Sequence, residues 1–309
     1  MNVLRASPKR RFRKLSFRER KNLRNGLLFI SPWIIGFTGL TLYPIISSFY
    51  YSLTQYSGLG APNYVGFRNY SILFTRDPMF WTSVGNTLYM VLLDLPAGII
   101  AGVLIAMLLN MKIKGQGLFR TIFFLPSIIP AIGATILFLW IFNPEYGLAN
   151  AVLHFFGLNG IGWFVSPRWS KPSLILLDLW GVGGSTIIYL ANLQDIPAAL
   201  YDAAAVDGAG SFRRFTHITL PMLTPSIFFN LVMGFIAMFN YFTQAFVATS
   251  GGPYNSTLFY ALYLFNQAFV YFNLGYASAM AWVLFAVVMI ITIILFRTSW
   301  RWVFYAGEN

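Results

Sequence analysis

The residues best suited to chemistry lie inside long apolar runs, where polar side chains are uncommon. In the run 224–248, Asn240 and Gln244 are four residues apart and Tyr241 is adjacent. A continuous helix would place the two amides on one face beside a phenol ring. Such groups can hydrogen-bond a polar ligand and pack an aromatic face against it. They also form hydrogen bonds between helices, worth ~0.6 kcal/mol on average in bilayers, and both interpretations stay open.

Two carboxylates and a tryptophan extend this set of candidates. Asp94 lies within the run 84–109, where a charge at mid-membrane costs about 2.5–3.5 kcal/mol on insertion scales. We expect it to be either a structural acid bonded between helices or a ligand contact. Asp178 lies near one end of the run 173–193, where a solvated structural role is the simpler interpretation. Trp180 follows it as an aromatic candidate.

Catalytic patterns are missing from the chain. It contains no G-x-x-x-x-G-K-[ST], no H-E-x-x-H and no cysteine, and its two histidines are His154 and His217. The glycine-rich GVGGST at 181–186 lies in an apolar run and is typical of close helix packing rather than of a phosphate site. The sequence therefore predicts no catalytic residue, no metal site, no cofactor and no ATP hydrolysis by this chain.

The elements that carry these residues are predicted to be membrane-spanning helices. Of 309 residues, 57% are hydrophobic and only 10% are charged, against roughly 25% charged in soluble domains. A span needs about 20 apolar residues. Six windows qualify, namely 27–53, 84–109, 118–142, 173–193, 224–248 and 275–296. The predicted fold class is an all-α polytopic membrane protein with six transmembrane helices.

Basic residues orient these helices. With the N-terminus inside, seventeen of the 21 lysines and arginines fall on the cytoplasmic side, and both termini are cytoplasmic. The basic arm 1–26 is then a topology signal that also contacts anionic membrane lipid, and no nucleic acid partner is expected. The long basic region before a long apolar run does not fit a cleavable signal peptide.

One cytoplasmic loop, 194–223, differs from everything around it. It is small, polar and interrupted by glycine. We expect Asp195 to cap a helix whose first turn contains Pro197, and Gly208 to end that alanine-rich helix.

A second short helix is predicted to follow, capped by Ser211 and ending at Pro221. Phe212 and Phe215 would lie on one face of it. The loop is either a docking element for a soluble partner or an amphipathic segment on the membrane surface, and the residues alone leave both open.

The segment resembles the EAA loop of ABC importer permeases, whose pattern runs E-A-A-x-x-D-G-A, then F, I and L-P. The positions that match are Asp202, Ala203, Ala204, Asp207, Gly208, Ala209, Phe215, Ile218, Leu220 and Pro221. Asp202 departs from the pattern, because the family usually has glutamate there.

Four further stretches resemble one branch of that family. They are VGFRNY at 65–70, DPMFWTSVGNTL at 77–88, GLFRTIFFLPSIIP at 117–130 and TSGGP at 249–253. This branch is the carbohydrate-type permeases, related to the larger maltose permease subunit and the first glycerol-3-phosphate permease. The chain resembles its compact six-span form, with the type I ABC importer permease fold.

The resemblance implies a transport subunit of a bacterial or archaeal inner membrane. Its partners would be a second homologous permease in a heterodimer, a pair of ATPase subunits that bind ATP and Mg, and an extracytoplasmic solute-binding protein. The loop 197–221 would be the coupling helix, with Phe212 beside the matched residues, and the run before TSGGP would line the pathway of a carbohydrate. A glycerol-phosphate or another small organic solute remains an alternative, and so does a stand-alone secondary carrier.

The predicted organisation follows from these expectations. It comprises an arm 1–26, a first helix 27–53, an external loop 54–83, a permease core 84–296 that includes the loop 194–223, and a cytoplasmic tail 297–309.

Overall fold

The computed structural model describes residues 16–111 and 114–304. The chain divides into two units, Met1–Tyr50 and Tyr51–Asn309. The first fifteen residues of the predicted basic arm and the last five of the predicted tail lie outside the described residues.

The first unit is helical throughout its described part. Helix α1 (Phe17–Phe37) passes through a π-helical turn (Thr38–Leu42) into α2 (Tyr43–Ser52), giving one helix of 36 residues. It starts ten residues before the predicted first span. A capping box explains the early start, because Ser16 Oγ accepts from the Glu19 amide at 3.3 Å and the Glu19 carboxylate accepts from the Ser16 amide at 2.6 Å.

The second unit contains a short hairpin and a set of helices. The hairpin pairs β1 (Thr54–Gln55) with β2 (Asn63–Tyr64) in antiparallel register. The helices are α3 (Arg68–Thr75), α4 (Pro78–Asn110), α5 (Gln116–Ile128), α6 (Ala131–Ile141), α7 (Leu148–Phe155), α8 (Ser170–Trp180), α9 (Gly183–Asp195), α10 (Ala198–Val206), α11 (Ser211–Arg214), α12 (Leu220–Phe239), α13 (Thr243–Thr249), α14 (Tyr260–Phe265) and α15 (Leu274–Ser299). Two π-helical turns, Phe215–Thr219 and Asn266–Val270, continue α11 and α14.

Four helices are long and apolar enough to cross a membrane, and two bent pairs raise the number to six within the described part of the chain. The pair α5–α6 bends by 101° and the pair α8–α9 by 47°. The predicted spans 118–142 and 173–193 therefore each correspond to a bent pair of helices rather than to one straight helix. In the first pair, Ile129 adopts extended backbone ahead of Pro130, which removes an amide donor and ends the helix.

The largest hydrophobic core joins helices that are far apart in sequence. Its fully buried members include Leu73 of α3, Met90 of α4, Leu174 of α8, Leu262 of α14 and Met280 of α15. Fully buried aliphatic side chains stabilise such a bundle by packing, since lipid competes well for apolar surface. This core fixes α4 and α8, which carry Asp94 and Asp178.

The interpretation of GVGGST as a packing motif is confirmed at Gly183. A β-carbon there would overlap the carbonyl oxygen of Phe123 and lie 3.2 Å from Ser127 Oγ. Glycine lets α9 approach α5 closely at this point.

Candidate functional site

The predicted helix after residue 197 is α10, and it ends at a left-handed turn on Gly208. The φ angle of Gly208 is 71°. Its amide donates to the Ala205 carbonyl at 3.1 Å, and the Ala209 amide donates to the Ala204 carbonyl at 2.8 Å. These two bonds form a Schellman motif. A β-carbon at Gly208 would meet nothing within 4 Å, so backbone conformation rather than space requires glycine here.

This α10 turn, residues 198–210, is exposed. Helix α10 buries no residue, and Asp202, Ala203 and Asp207 are all exposed. Val206 is 89% exposed, and Phe212 just beyond the turn is 80% exposed. Two apolar side chains in the open beside an acidic helix form a surface suited to another protein.

A few contacts hold the α10 turn to the bundle. The hydroxyl of Tyr201 lies 2.9 Å from Thr219 Oγ1, and Tyr201 packs with Ile218 against the core around Leu193 and Leu223. Three other matched residues of the motif, Ala204, Ala209 and Phe215, are half-buried. The turn is thus fastened on one side and free on the other.

The start of α10 corrects a prediction. Asp195 is the last residue of α9 and caps nothing, and Pro197 is the N-cap of α10 rather than part of its first turn. Ile196 between them is buried and has extended backbone, as expected before proline. The chain therefore turns only after Ile196 has packed into the core.

The second helix of the loop also differs from its prediction. It does not end at Pro221 but continues as one helix from Ser211 to Phe239. The π-helical turn lets the Leu220 amide bond the Phe215 carbonyl, which widens the turn where a proline ring would otherwise clash. Ser211 provides no side-chain cap, since Gly210 is the N-cap.

Near Asn240 the predicted single helix is wrong as well. Helix α12 ends at Phe239 and α13 begins at Thr243, so Asn240 and Gln244 do not share the face of one helix. The Asn240 amide group donates to the Ile236 carbonyl at 2.9 Å and its backbone amide bonds Ala237 at 3.0 Å. These local bonds compete with the helical pattern and end the helix.

The structure gathers the other fifth-span candidates on Asp178. Tyr241 Oη donates to Asp178 Oδ2 at 2.6 Å, and Gln244 Nε2 donates to Asp178 Oδ1 at 3.2 Å. Tyr241 is 5% exposed, whereas Asn240 is exposed and stays outside this group. We call Asp178, Tyr241 and Gln244 the Asp178 cluster. Asp178 is half-buried and bonded to two side chains, and its position at a helix end gave no signal of that role.

Asp94 lies beside Asp178, and both residues line a cavity of about 190 Å³. Asp94 is 3% exposed, and its Oδ2 has no hydrogen-bond partner among the described residues. The fully buried Tyr189 also lines the cavity, and its hydroxyl likewise lacks a partner in the described part of the chain. A site that leaves a carboxylate oxygen and a phenol unpaired can accept and donate hydrogen bonds to a hydroxylated ligand.

Trp180 is not among the residues that line this cavity. It is half-buried, and its ring packs 5.4 Å from that of Phe138 in the largest core. It is the last residue of α8, beside the bend between α8 and α9.

One of the family-like stretches contacts the segment that follows another of them. Asn86 Nδ2 donates to the carbonyls of Asn255 at 2.8 Å and Leu258 at 3.1 Å, and Lys171 Nζ donates to Asn86 Oδ1 at 3.0 Å. Asn86 belongs to DPMFWTSVGNTL, and the segment it holds follows TSGGP. Sequence reasoning missed this contact because it spans about 170 residues.

The family model for binding-protein-dependent transport system inner membrane components matches residues 95–304. The chain belongs to this family. This permease is 45% identical over 294 residues to a probable ABC transporter permease protein, YesP, of Bacillus subtilis, covering 94% of this chain and 95% of that one. It is 37% identical to the sulfoquinovosyl glycerol transport system permease protein SmoG of Agrobacterium fabrum, covering 88% and 89%. The resemblance inferred from the motifs is confirmed.

A solved structure supports the same fold. The permease aligns with a chain of a bacterial alginate ABC transporter in complex with an alginate-pentasaccharide-bound periplasmic protein, with a TM-score of 0.80 and 25% identity over 91% of this chain and 96% of that one. The expected all-α permease fold is confirmed. The chain is a multi-pass membrane protein and a transport subunit.

Proposed function

We propose that this permease forms half of the translocation pathway of a carbohydrate importer and that the α10 turn is its coupling helix. The observation that carries the proposal is the exposed α10 turn, a helix with no buried residue, fixed at one end by the Tyr201–Thr219 contact. A helix that buries none of its residues in its own chain is explained if it seats in a groove of another chain. The EAA-like residues Asp202, Asp207 and Gly208 lie on this turn.

The geometry supports a mechanical role for that docking. The helix that follows the turn runs without interruption from Ser211 to Phe239, through 29 residues. A displacement of the turn would therefore pass along a rigid rod to its far end at Phe239. The Asp178 cluster begins two residues later, at Tyr241. A pair of ATPase subunits, which bind ATP and Mg, would supply the displacement, and this chain would hydrolyse nothing.

The pathway would be completed by a second, homologous permease in a heterodimer. Helix α5 buries no residue of its own, and it presents apolar surface that lipid or this second subunit would cover. A soluble extracytoplasmic protein would deliver the solute from the side opposite the α10 turn. The complex would lie in the inner membrane of a bacterial or archaeal cell.

A hydroxyl-rich solute suits the cavity between Asp94 and the Asp178 cluster. Carboxylates accept hydrogen bonds from sugar hydroxyls, and none of the described residues that line the cavity is basic. Like charge would oppose a phosphate or another anion there, which favours a neutral sugar or polyol over glycerol-phosphate. Relatives named as lactose and arabinooligosaccharide permeases point the same way. Asn240 and Trp180 would contact solute only outside this cavity.

Co-purification of a tagged chain from its native membrane tests the proposal. We expect an ATPase and a second permease to accompany the wild type. Gly208→Val places a β-branched residue at a φ of 71° and should abolish ATPase recovery and uptake while the chain still inserts. Gly210→Val is the matched control, because Gly210 has φ −67° and ψ 168° and a β-carbon there meets nothing within 4 Å.

Two results would contradict the proposal. Recovery of the chain alone, under conditions that preserve a known ABC complex, would favour the stand-alone carrier. Equal uptake by the Gly208→Val and Gly210→Val variants would remove the coupling role from the α10 turn. Uptake of labelled glycerol-phosphate but not of sugars would overturn the carbohydrate assignment and leave the coupling role intact.

A further inference from the structure

A polar cleft of about 430 Å³ lies beside α3, far along the chain from the α10 turn. Arg68 opens α3 and Arg76 follows its last residue, and both line the cleft with Ile72 between them. Because Arg68, Ile72 and Arg76 all line this cleft, both arginine side chains are carried on the same side of α3. Both arginines are exposed, and neither side chain has a hydrogen bond or an ion pair among the described residues.

The acidic residue of the cleft, Asp77, already accepts hydrogen bonds from within the chain. Asp77 Oδ1 caps α4 by accepting from the amides of Met79 at 2.9 Å and Phe80 at 3.1 Å. Its Oδ2 accepts from the hydroxyls of Tyr263, at 2.7 Å, and Tyr276. Burial, and after it the Asp77 carboxylate, raises the pKa of Tyr263 above its ordinary value, so this hydroxyl remains a donor at neutral pH.

The amides of the wall are engaged too. Asn69 Nδ2 donates to the carbonyls of Ser52 at 2.8 Å and Thr54 at 2.9 Å. Gln267 donates to Tyr263 Oη at 2.8 Å and accepts from Asn273 at 3.0 Å. The Asp77 carboxylate and these amides are therefore bonded within the chain. Among the described residues that line the cleft, the side chains of Arg68 and Arg76 are the charged donors without a partner.

The backbone next to the cleft residues Gln55 and Tyr276 is closely packed. The Gly275 amide donates to the Tyr56 carbonyl at 3.0 Å, and a β-carbon at Gly275 would overlap the Thr54 carbonyl oxygen. A cleft with such close backbone contacts is formed before any partner arrives, which lowers the entropic cost of binding. We call Asp77, Tyr263, Tyr276, Asn69 and Gly275 the Asp77 clamp.

We propose that this arginine cleft docks an acidic segment of the soluble solute-binding protein, with Arg68 and Arg76 pairing its carboxylates. The inference rests on the proposed function, which requires such a protein on the side opposite the α10 turn. By the basic-residue topology, α3 lies on that side. Arginine fits carboxylate in a bidentate geometry, and two arginines on one helix face fit a partner that presents two acids.

Neighbouring side chains favour a protein over a small anionic solute as the occupant. Phe67, next to Arg68, is 71% exposed, and Tyr64 in the hairpin strand is 69% exposed. Exposed aromatic residues beside arginine are typical of protein interfaces. A small solute would leave both rings uncovered.

The test measures ATP hydrolysis by the complete reconstituted complex as binding protein is added on the outer side. The Arg68→Glu/Arg76→Glu double variant should raise the half-saturating concentration of binding protein about tenfold or more and leave the maximal rate within about twofold, because charges at an interface rim act mainly on encounter. High salt should weaken docking of the wild type and have less effect on the double variant.

Arg168→Glu is the matched control, since Arg168 is also exposed and has no bond among the described residues. It should behave as the wild type. If charge reversal impairs assembly, the same measurement is made on an Arg68→Gln/Arg76→Gln variant, which removes the charges without reversing them. An acidic residue of the binding protein can then be replaced by lysine. If this replacement restores docking to the double variant, it supports the pairing of that acid with Arg68 or Arg76 directly.

Three results would overturn the inference. One is an unchanged half-saturating concentration in both double variants. Another is a weaker apparent affinity for the solute with docking unaffected, which would make the cleft a site for a small anion. If binding protein fails to stimulate even the wild type, the proposed function falls and the inference falls with it.

Discussion

The α10 turn and the Asp77 clamp both lie at or beyond the ends of the long apolar helices, yet they are built in opposite ways. Within the clamp, Asp77 alone accepts four hydrogen bonds and Gly275 touches the hairpin backbone. In the turn, α10 buries no residue, and Tyr201 fastens it by a hydrogen bond with Thr219 and by packing against the core.

The difference distinguishes residues that stabilise the fold of the chain from exposed residues that can bind a partner. In the clamp, hydrogen bonds within the chain engage the Asp77 carboxylate, the hydroxyls of Tyr263 and Tyr276 and the Asn69 side-chain amide. Changes there should therefore lower the stability of the fold. Val206 in the turn and Phe212 just beyond it contribute little buried area. Changes there should act on assembly and leave folding alone.

Removal of the Asp77 carboxylate is expected to have the largest effect on folding. Asp77→Ala deletes an N-cap, worth about 1 kcal/mol, and leaves two tyrosine hydroxyls without their acceptor at about 1–3 kcal/mol each. Thermal unfolding of the detergent-solubilised complex should show a loss of about 3 kcal/mol or more. Glu145→Ala is the control, because Glu145 is exposed and its carboxylate has no bond among the described residues. Equal melting of the two variants would show that the clamp does not stabilise the fold.

A smaller effect is expected at Gly275. Gly275→Ala forces a methyl group against the Thr54 carbonyl and should cost about 1–3 kcal/mol, the usual range for overpacking. Gly85→Ala, in the exposed face of α4 with nothing within 4 Å, should be neutral or stabilise by about 0.5–1 kcal/mol. The same unfolding assay compares them. A Gly275→Ala variant as stable as Gly85→Ala would mean that the hairpin is not packed tightly on α15.

The smallest effect on folding is expected in the α10 turn. The double variant Val206→Ser/Phe212→Ser should change stability by less than about 0.5 kcal/mol, since both side chains are exposed. It should nevertheless lose co-purified ATPase and uptake. Leu59→Ser, at an 85% exposed position in the hairpin loop, is the control and should keep both. If the double variant unfolds at a lower temperature but still recovers the ATPase normally, the turn stabilises the fold and does not bind the ATPase, contrary to the proposal.

Features that depend on neighbouring residues were predicted well. Glycine at 208 ends an alanine-rich helix because the left-handed turn is a local choice, and Gly183 packs closely as a small residue in an apolar run should. The six apolar windows all became helical. The bend at Ile129–Pro130 also has a local cause, the proline, but a hydropathy window averages over that residue and so does not predict a bend.

Predictions that relied on a regular helix were less successful. The helix expected to continue through Asn240 ends there, because the side chain bonds the Ile236 carbonyl. The helix expected to stop at Pro221 continues, because a π-helical turn accommodates the ring. The roles of Asp94, Asn240 and Trp180 toward a solute and of the coupling residues toward an ATPase stay predictions.

The sequence by itself determined the membrane class of this permease, its family and the position of the α10 turn, since apolar length, basic-residue distribution and a glycine with positive φ are local properties of the chain. Only the tertiary structure decided which polar groups meet. Asp178 meets Tyr241 across 63 residues and Asp77 meets Tyr276 across 199. Such pairings depend on how bent helices pack around a common core, and no local pattern of residues records that packing.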